Sequence, residues 1–298
     1  MYPIKKLIVC LDQSPLDQTL ISFAGFMAKV NQLKKIYFVN VIKNFSLPKE
    51  LQEEFPTMIE RMMVDRSTYM EELVAAHFPK IKGLDLSFVV KEGNLSKKIL
   101  KLADEKSADL ILLGRKVDLV GTGVATQRLS RRASCSLLIV PEKAQPKFTK
   151  LLVPSDFSEH SKNALEDGIL WAKKYGKDTE LFLQNVFTVP SGYHYTGKSF
   201  EEFTQLLKNN AEENFKKFIR KIDEGGHTKD IEIKFDQENK VAEVNNKKQK
   251  KVKTLFLIFV LSIFHTRSNN ESRKRLSTFM HRSHIDSVCK RLSSNSKI

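Results

Sequence analysis

Four short stretches of this chain combine residue types suited to holding an anionic, sugar-bearing ligand. The first is Leu11-Asp12-Gln13-Ser14, where a carboxylate follows an apolar run and could accept hydrogen bonds from a ribose or a base edge. The second is Asn40-Val41-Ile42 and the third is Gly114-Arg115-Lys116, both at the ends of apolar runs. The fourth, Gly121-Thr122-Gly123, is a small-residue loop ahead of a helical stretch. Glycines let backbone amides approach a phosphate, and the N-terminus of a following helix favours its charge. Arg115 or Lys116 could reach the phosphate oxygens. A bare Gly-x-Gly says little, but after a buried strand and before a helix it says more. The candidate binding residues are therefore Leu11, Asp12, Val41, Gly114, Arg115, Gly121, Thr122 and Gly123. Plainer roles compete for the same residues. Asp12 and Asp156 suit a helix N-cap or a turn, and Gly121 and Gly123 suit a tight turn.

Other chemistries find less support. Cys10 and Cys135 sit in apolar runs and read as core residues. His281, His284 and Cys289 lack a second cysteine pair, so no metal site is expected. Asp156, Ser158 and His160 lie on one turn, where sequence neighbours rarely assemble a catalytic triad. A nucleotidyl transferase would need a His-x-Gly-His-type pair to stabilise a transferring phosphate. His77, His160, His194 and His227 are all isolated. No catalytic residue is assigned and the chain is not expected to be an enzyme, with slow ATP hydrolysis left open.

The elements that must position these residues come in a repeat. Lys6-Leu7-Ile8-Val9-Cys10-Leu11-Asp12-Gln13-Ser14 matches Lys150-Leu151-Leu152-Val153-Pro154-Ser155-Asp156-Phe157-Ser158 at an offset of 144 residues. Helical spacing follows each: Leu20, Phe23, Ala24, Met27 and Ala28 in the first, and Ala164, Leu165, Ile169 and Ala172 in the second. Further strands pair off, Lys35–Val41 with Glu180–Val186 and Leu84–Phe88 with Ile231–Phe235. Helices are expected over about Lys49–His77 and Ser199–Ile222. Short apolar strands alternating with helices imply a parallel sheet covered on both faces, with right-handed crossovers making it doubly wound. The first half completes itself with a helix at Asn94–Lys106, a strand at Ala108–Leu113, a helix at Gln127–Arg132 and a strand at Cys135–Val140. Gln145-Pro146-Lys147 reads as a linker.

The second half loses the pattern. Ile99 and Leu100 align with Asn245 and Asn246, Gly114 aligns with Val260, and no glycine follows Gly226. After residue 243 come thirteen Lys/Arg and two acids, a balance of +11 out of the chain's +15. The body is thus near neutral, and the tail offers at most nonspecific attraction to nucleic acid. An abrupt change of this kind from about residue 245 is what a shifted reading frame would produce; a diverged, disordered tail is the alternative. The domains are read as 1–143, an incomplete 148–244, and an aberrant basic tail at 245–298. The longest apolar run, Leu255–Phe264, is ten residues, short of the roughly 20 a spanning helix needs. Three scattered cysteines and the lack of a signal-peptide pattern suggest a reducing cytoplasm and no membrane partner.

At this point the chain resembles the universal stress protein family, over residues 1–143 and 148–243. The resemblance rests on the Asp after the first strand and on Gly114-Arg115-Lys116, Gly121-Thr122-Gly123 and Gln127–Pro141, with its small-Cys-small turn Ser134-Cys135-Ser136. It implies two Rossmann-like, adenine-nucleotide-hydrolase-like α/β repeats with strand order 3-2-1-4-5. It also implies pairing of domains through the last strand, within one chain or between two copies. Nucleotide-binding members carry Gly-x2-Gly-x9-Gly-Ser/Thr. Here Gly114 matches the first glycine and Gly123 the last, while Val117 and Val124 replace the second glycine and the hydroxyl residue. The resemblance implies a stress-response regulator with ATP as ligand, and the departures from the motif keep a nucleotide-free protein-interaction scaffold open. Protein partners are not legible.

Overall fold

The computed structural model describes residues 3–43, 53–116, 123–175, 179–222 and 231–237. The tail at 245–298, with His281, His284 and Cys289, lies outside the described residues, as does Leu255–Phe264. The rest falls into two compact units that divide between Pro146 and Lys147.

The first unit alternates strands and helices: β1 Lys6–Leu11, α1 Leu16–Asn31, β2 Lys35–Ile42, α2 Met58–His77, β3 Asp85–Glu92, α3 Leu95–Lys106, β4 Leu110–Arg115, α4 Gly123–Arg132 and β5 Ser136–Pro141. All five strands are parallel in the order β3-β2-β1-β4-β5, the order expected. The fold is therefore the doubly wound α/β arrangement. Because both faces of the central strands are covered, they read as continuous apolar runs. Along β1 the faces alternate. Ile8 and Cys10 join Ile99, Leu102 and Ala103 of α3 and Leu129 of α4 in one core layer. Leu7 and Val9 turn to the opposite face, where α1 buries Leu20, Ala24 and Met27 on β1 and β4. Asn94 caps α3, its Oδ1 accepting the Lys97 N–H at 3.1 Å. Asp109 ties strand starts together by accepting the Lys5 and Lys6 N–H groups, each at 2.8 Å.

Several expected boundaries move, among them the helix expected at Gln127–Arg132, which starts at Gly123, and the strand expected at Leu84–Phe88, which runs over Asp85–Glu92. The helix placed at Lys49–His77 is described as a helix over Met58–His77, and the fourth strand runs to Arg115, pairing Gly114 with Val140 and Arg115 with Pro141.

The second unit contains β6 Lys150–Pro154, α5 Glu159–Tyr175, β7 Glu180–Phe187, α6 Phe200–Arg220 and β8 Ile231–Gln237, with a 3-10 turn at Tyr193–Thr196. Its parallel sheet has the order β6-β7-β8. Ser199 and Glu202 close a reciprocal capping box at the start of α6. Trp171, the chain's single tryptophan, is buried against Phe148 and Tyr175. Among the described residues no helix is long and apolar enough to cross a membrane.

Candidate functional site

The strands of the first sheet do not stay paired to the same height. β1 pairs with β2 along its whole length, up to Leu11 beside Asn40, but with β4 only over Leu7–Leu110, Ile8–Ile111 and Val9–Leu112. Beyond that row the ends of β1 and β4 are no longer partners, while β4 stays on β5 as far as Arg115. The opening between them lies where the strand order reverses, at the carboxyl ends, the place where open α/β sheets put their ligands.

A tight turn leaves β1 at this opening. Gln13 adopts φ +62°, the left-handed region, and α1 starts only at Leu16 after Pro15, which makes no side-chain cap. Asp12 is therefore not the N-cap suggested by its position; Pro15, three residues on, holds that place and sets the helical φ. The turn is held from below by Asp17 instead. Its Oδ1 accepts the Asp12 N–H at 3.1 Å and its Oδ2 the Gln13 N–H at 2.9 Å, in a residue only 1 % exposed. Asp12 itself points outward, its side chain 56 % exposed, accepting the Ser14 hydroxyl at 2.5 Å and the Lys116 ammonium at 2.6 Å. Lys116 follows β4, so this ion pair spans the opening between β1 and β4.

The two carboxyls are driven apart. Burial is the largest influence on Asp17 and, with the negative Asp12 beside it, raises its pKa to about 6 against the pull of two N–H donors and Lys116. Burial also opposes the charge on Asp12, but the hydrogen bonds from Lys116 and Ser14 outweigh it and hold its carboxyl below the usual range. The opening thus carries one firmly ionised acid, one acid close to its titration point, and one ammonium.

The other candidates fall as follows. Leu11 is buried and its carbonyl accepts the Asn40 Nδ2–H at 2.9 Å. Asn40 is 3 % exposed, and its Oδ1 has no hydrogen-bond partner among the described residues. Val41 is half-buried against the core layer beneath α3 and α4. Gly114 has a packing reason to be glycine: a Cβ there would meet Leu16 Cδ2, lie 2.8 Å from Leu16 Cγ and crowd Leu20. Arg115 is half-buried at the end of β4, and Gly123 opens α4. Gly121, Thr122 and Val117 lie outside the described residues. Cys10 and Cys135 are buried free thiols, and burial, the main cause for both, pushes the Cys135 thiol up to about 12 and Cys10 in the same direction. Neither offers a thiolate. No group of three or more metal-binding side chains occurs among the described residues.

The turn after β6 has the same backbone and different chemistry. Phe157 takes φ +63°, matching Gln13, and Asn185 Nδ2–H donates to the Ser155 carbonyl at 2.8 Å, as Asn40 does to Leu11. Where Asp17 stands in the first turn, this one has buried Ser161. Its Oγ accepts the Asp156 N–H at 3.0 Å and its hydroxyl donates to Asp156 Oδ1 at 2.5 Å. Asp156 also accepts the Ser158 N–H at 3.0 Å, so it serves as a turn residue. Its carboxyl, on an exposed residue, is held low by Ser158 and Ser161 against partial desolvation.

Asp17 is the residue that sequence reasoning did not single out, while Asn40 belongs to the second candidate stretch but was not carried into the short set of binding residues. Asp17 was accessible through the alignment, since the offset of 144 places it opposite Ser161 and both are small hydrogen-bonding residues five places after an aspartate.

Residues 3–141 match the family model of the universal stress protein family. Among solved structures, a universal stress protein from Archaeoglobus fulgidus DSM 4304 aligns at 15 % identity over 84 % of this chain and 85 % of that one, with a TM-score of 0.50. A universal-stress-type protein of Pseudomonas aeruginosa UCBPP-PA14 aligns at 12 % identity over 83 % and 79 %, also at 0.50. A universal stress protein in complex with cAMP aligns at 16 % identity over 47 % of this chain and 99 % of that one, with a TM-score of 0.35. No curated protein sequence matches the chain. At these identities the first two likenesses speak for the fold alone.

Proposed function

We propose that this chain is a tandem universal-stress-type protein whose first domain, residues 1–143, binds an adenine nucleotide between the carboxyl ends of β1 and β4, as a regulatory rather than catalytic component. The observation that carries this reading is the Asp12–Lys116 pair spanning the opening at the point of strand-order reversal. A ribose hydroxyl and a phosphate present the two chemistries that such a pair separates: a donor for the carboxylate and an anion for the ammonium. The pair is half-exposed, so opening it costs no more than about 1 kcal/mol, well within what a charge-assisted phosphate contact returns. Asn40 Oδ1 adds a buried acceptor beside Leu11 that has no partner among the described residues. Arg115, Gly121, Thr122 and Gly123 would complete the phosphate end.

The test is to assay nucleotide released on denaturing the purified protein and to titrate ATP by calorimetry. ATP binding that weakens about tenfold in Lys116→Met, the worth of one charge-assisted contact, supports the reading. Affinity unchanged in Lys116→Met, or none at all in the wild type, sinks it.

A second reading, a protein-interaction scaffold without nucleotide, is favoured by one observation. Gly114 is explained by the close approach of Leu16, so the glycine does not by itself call for a phosphate. The proposed second domain, 148–244, takes part in neither test.

A further inference from the structure

The opening between β1 and β4 holds more charge than a simple ion pair needs. Asp12, Asp17 and Lys116 are linked by contacts of 2.6 Å (Lys116 to Asp12) and 3.1 Å (Asp12 N–H to Asp17). The charged groups acting on Asp17 are Asp12 from its own turn and Lys116 from the end of β4. With both acids ionised the cluster carries a net charge of −1, and an anionic ligand is repelled. With a proton on Asp17 it is neutral.

The second unit shows how a neutral group serves this turn. Ser161 occupies the matching place, accepts the backbone N–H of Asp156 and hands its own hydroxyl proton to the Asp156 carboxylate. Gln13 and Phe157 differ in φ by one degree, so the left-handed residue of the turn is kept with either a carboxylate or a hydroxyl beneath it. A protonated Asp17 keeps a carbonyl oxygen for the turn N–H groups and takes one negative charge away from beside Asp12 and Lys116. With that charge gone, the attraction that holds Lys116 at the turn is weaker.

We propose that Asp17, Asp12 and Lys116 form a proton-operated latch: a proton on Asp17 loosens Lys116 toward an anion in the opening, and its loss draws Lys116 back onto Asp12. The effect on a nucleotide rests on the reading given above; the coupling of Lys116 to Asp17 does not. The proton comes from solvent and returns to it, and no covalent bond changes. Burial places the titration of Asp17 at about pH 6, in the range where a modest change of pH works the latch.

Two measurements separate the latch from the nucleotide. In the ligand-free protein, carbon-13 NMR follows Asp17 Cγ and Lys116 Cε from about pH 5 to about pH 8, a window that brackets the shifted carboxyl. Asp17 is expected to inflect at about pH 6 and Lys116 with the same midpoint. In Asp17→Ser, which borrows the residue used in the second turn, Lys116 loses its inflection. Asp17→Asn, closer in volume, serves equally if the serine variant does not fold. A Lys116 signal that stays flat while Asp17 titrates overturns the proposal.

ATP titrations at about pH 5.5 and pH 7.5 then read the consequence. The terminal phosphate of ATP titrates in the same range, so the quantity that counts is the wild type's ratio of affinities divided by that of Asp17→Ser. One unit charge some 6 Å away in a water-like dielectric gives about a threefold gain at the lower pH. A quotient of one overturns the latch and leaves the nucleotide reading standing. A shared NMR midpoint with no ATP binding at either pH supports the latch and removes the nucleotide reading.

Discussion

The turn after β1 and the turn after β6 follow one backbone path and carry different charge. Each places a non-glycine residue at φ near +60° and is supported by an asparagine from the neighbouring strand. Each also rests on a buried acceptor five residues beyond an aspartate, Asp17 in one and Ser161 in the other. The backbone requires an acceptor and is indifferent to its kind. The hydroxyl can also donate and so settles the aspartate above it, whereas an ionised carboxylate cannot, and the first turn draws on Lys116 instead. One shared geometry therefore yields a quiet turn in one unit and a charge-bearing one in the other.

The largest expected effect comes from making the second turn like the first. Ser161→Asp would bury a carboxylate beside Asp156, which pairs with no cation among the described residues. Urea unfolding followed by Trp171 fluorescence, which reports on the second unit alone, should show a loss of about 3–5 kcal/mol near pH 7. Much of the loss should return at about pH 5 as the new acid takes a proton. A loss below about 1 kcal/mol would mean that the position tolerates charge and that the difference between the turns is incidental.

Next in size is the response to pH. The pKa of Asp17 is raised on folding, so its contribution to stability is full below the unfolded value of 3.8 and is lost as pH rises through about 6. The shift amounts to about 3 kcal/mol at most. The pKa of Asp156 is lowered, so its contribution is present above the unfolded value and falls away on acidification. That effect is smaller, since the residue is exposed. From about pH 6 down to about pH 4 the Asp17 contribution should thus grow while the Asp156 contribution holds, and the Asp156 contribution should fall away only on further acidification. Comparing each unit with its own variant, Asp17→Ser by far-UV circular dichroism and Asp156→Asn by Trp171 fluorescence, isolates them. Equal signs would break the contrast.

Gly114→Ala should cost the first unit about 2 kcal/mol, because the new Cβ must displace Leu16. The Trp171 transition should not move. The smallest effects are the helix caps, Asn94→Ala in the first unit and Ser199→Ala in the second, each worth about 1 kcal/mol in chemical denaturation. Equal losses there would confine the difference between the units to their turns.

Most of the fold was legible in the sequence, because a parallel sheet buried on both faces writes each strand as an apolar run and each crossover as a helical one. The site was legible only as residue types. Asp12 and Lys116 are easily suspected, but their meeting depends on β1 and β4 parting after Val9 and Leu112, which no local pattern records. Asp17 reads locally as an acid favouring a helix start, and only burial turns it into a titrating group. Gly114 reads as a phosphate glycine until Leu16 is seen filling the space beside it. Asp12 resembles a cap, but Pro15 takes that position.

The early parting of β1 and β4 also bears on how such a protein can change over time. The opening is made by two main chains separating, while the groups that give it a chemistry stand on the turns at its rim. Substitutions at Asp12, Asp17 or Lys116 can alter what enters the opening without closing it. A lineage built on this sheet is therefore free to lose one ligand and acquire another while its architecture persists.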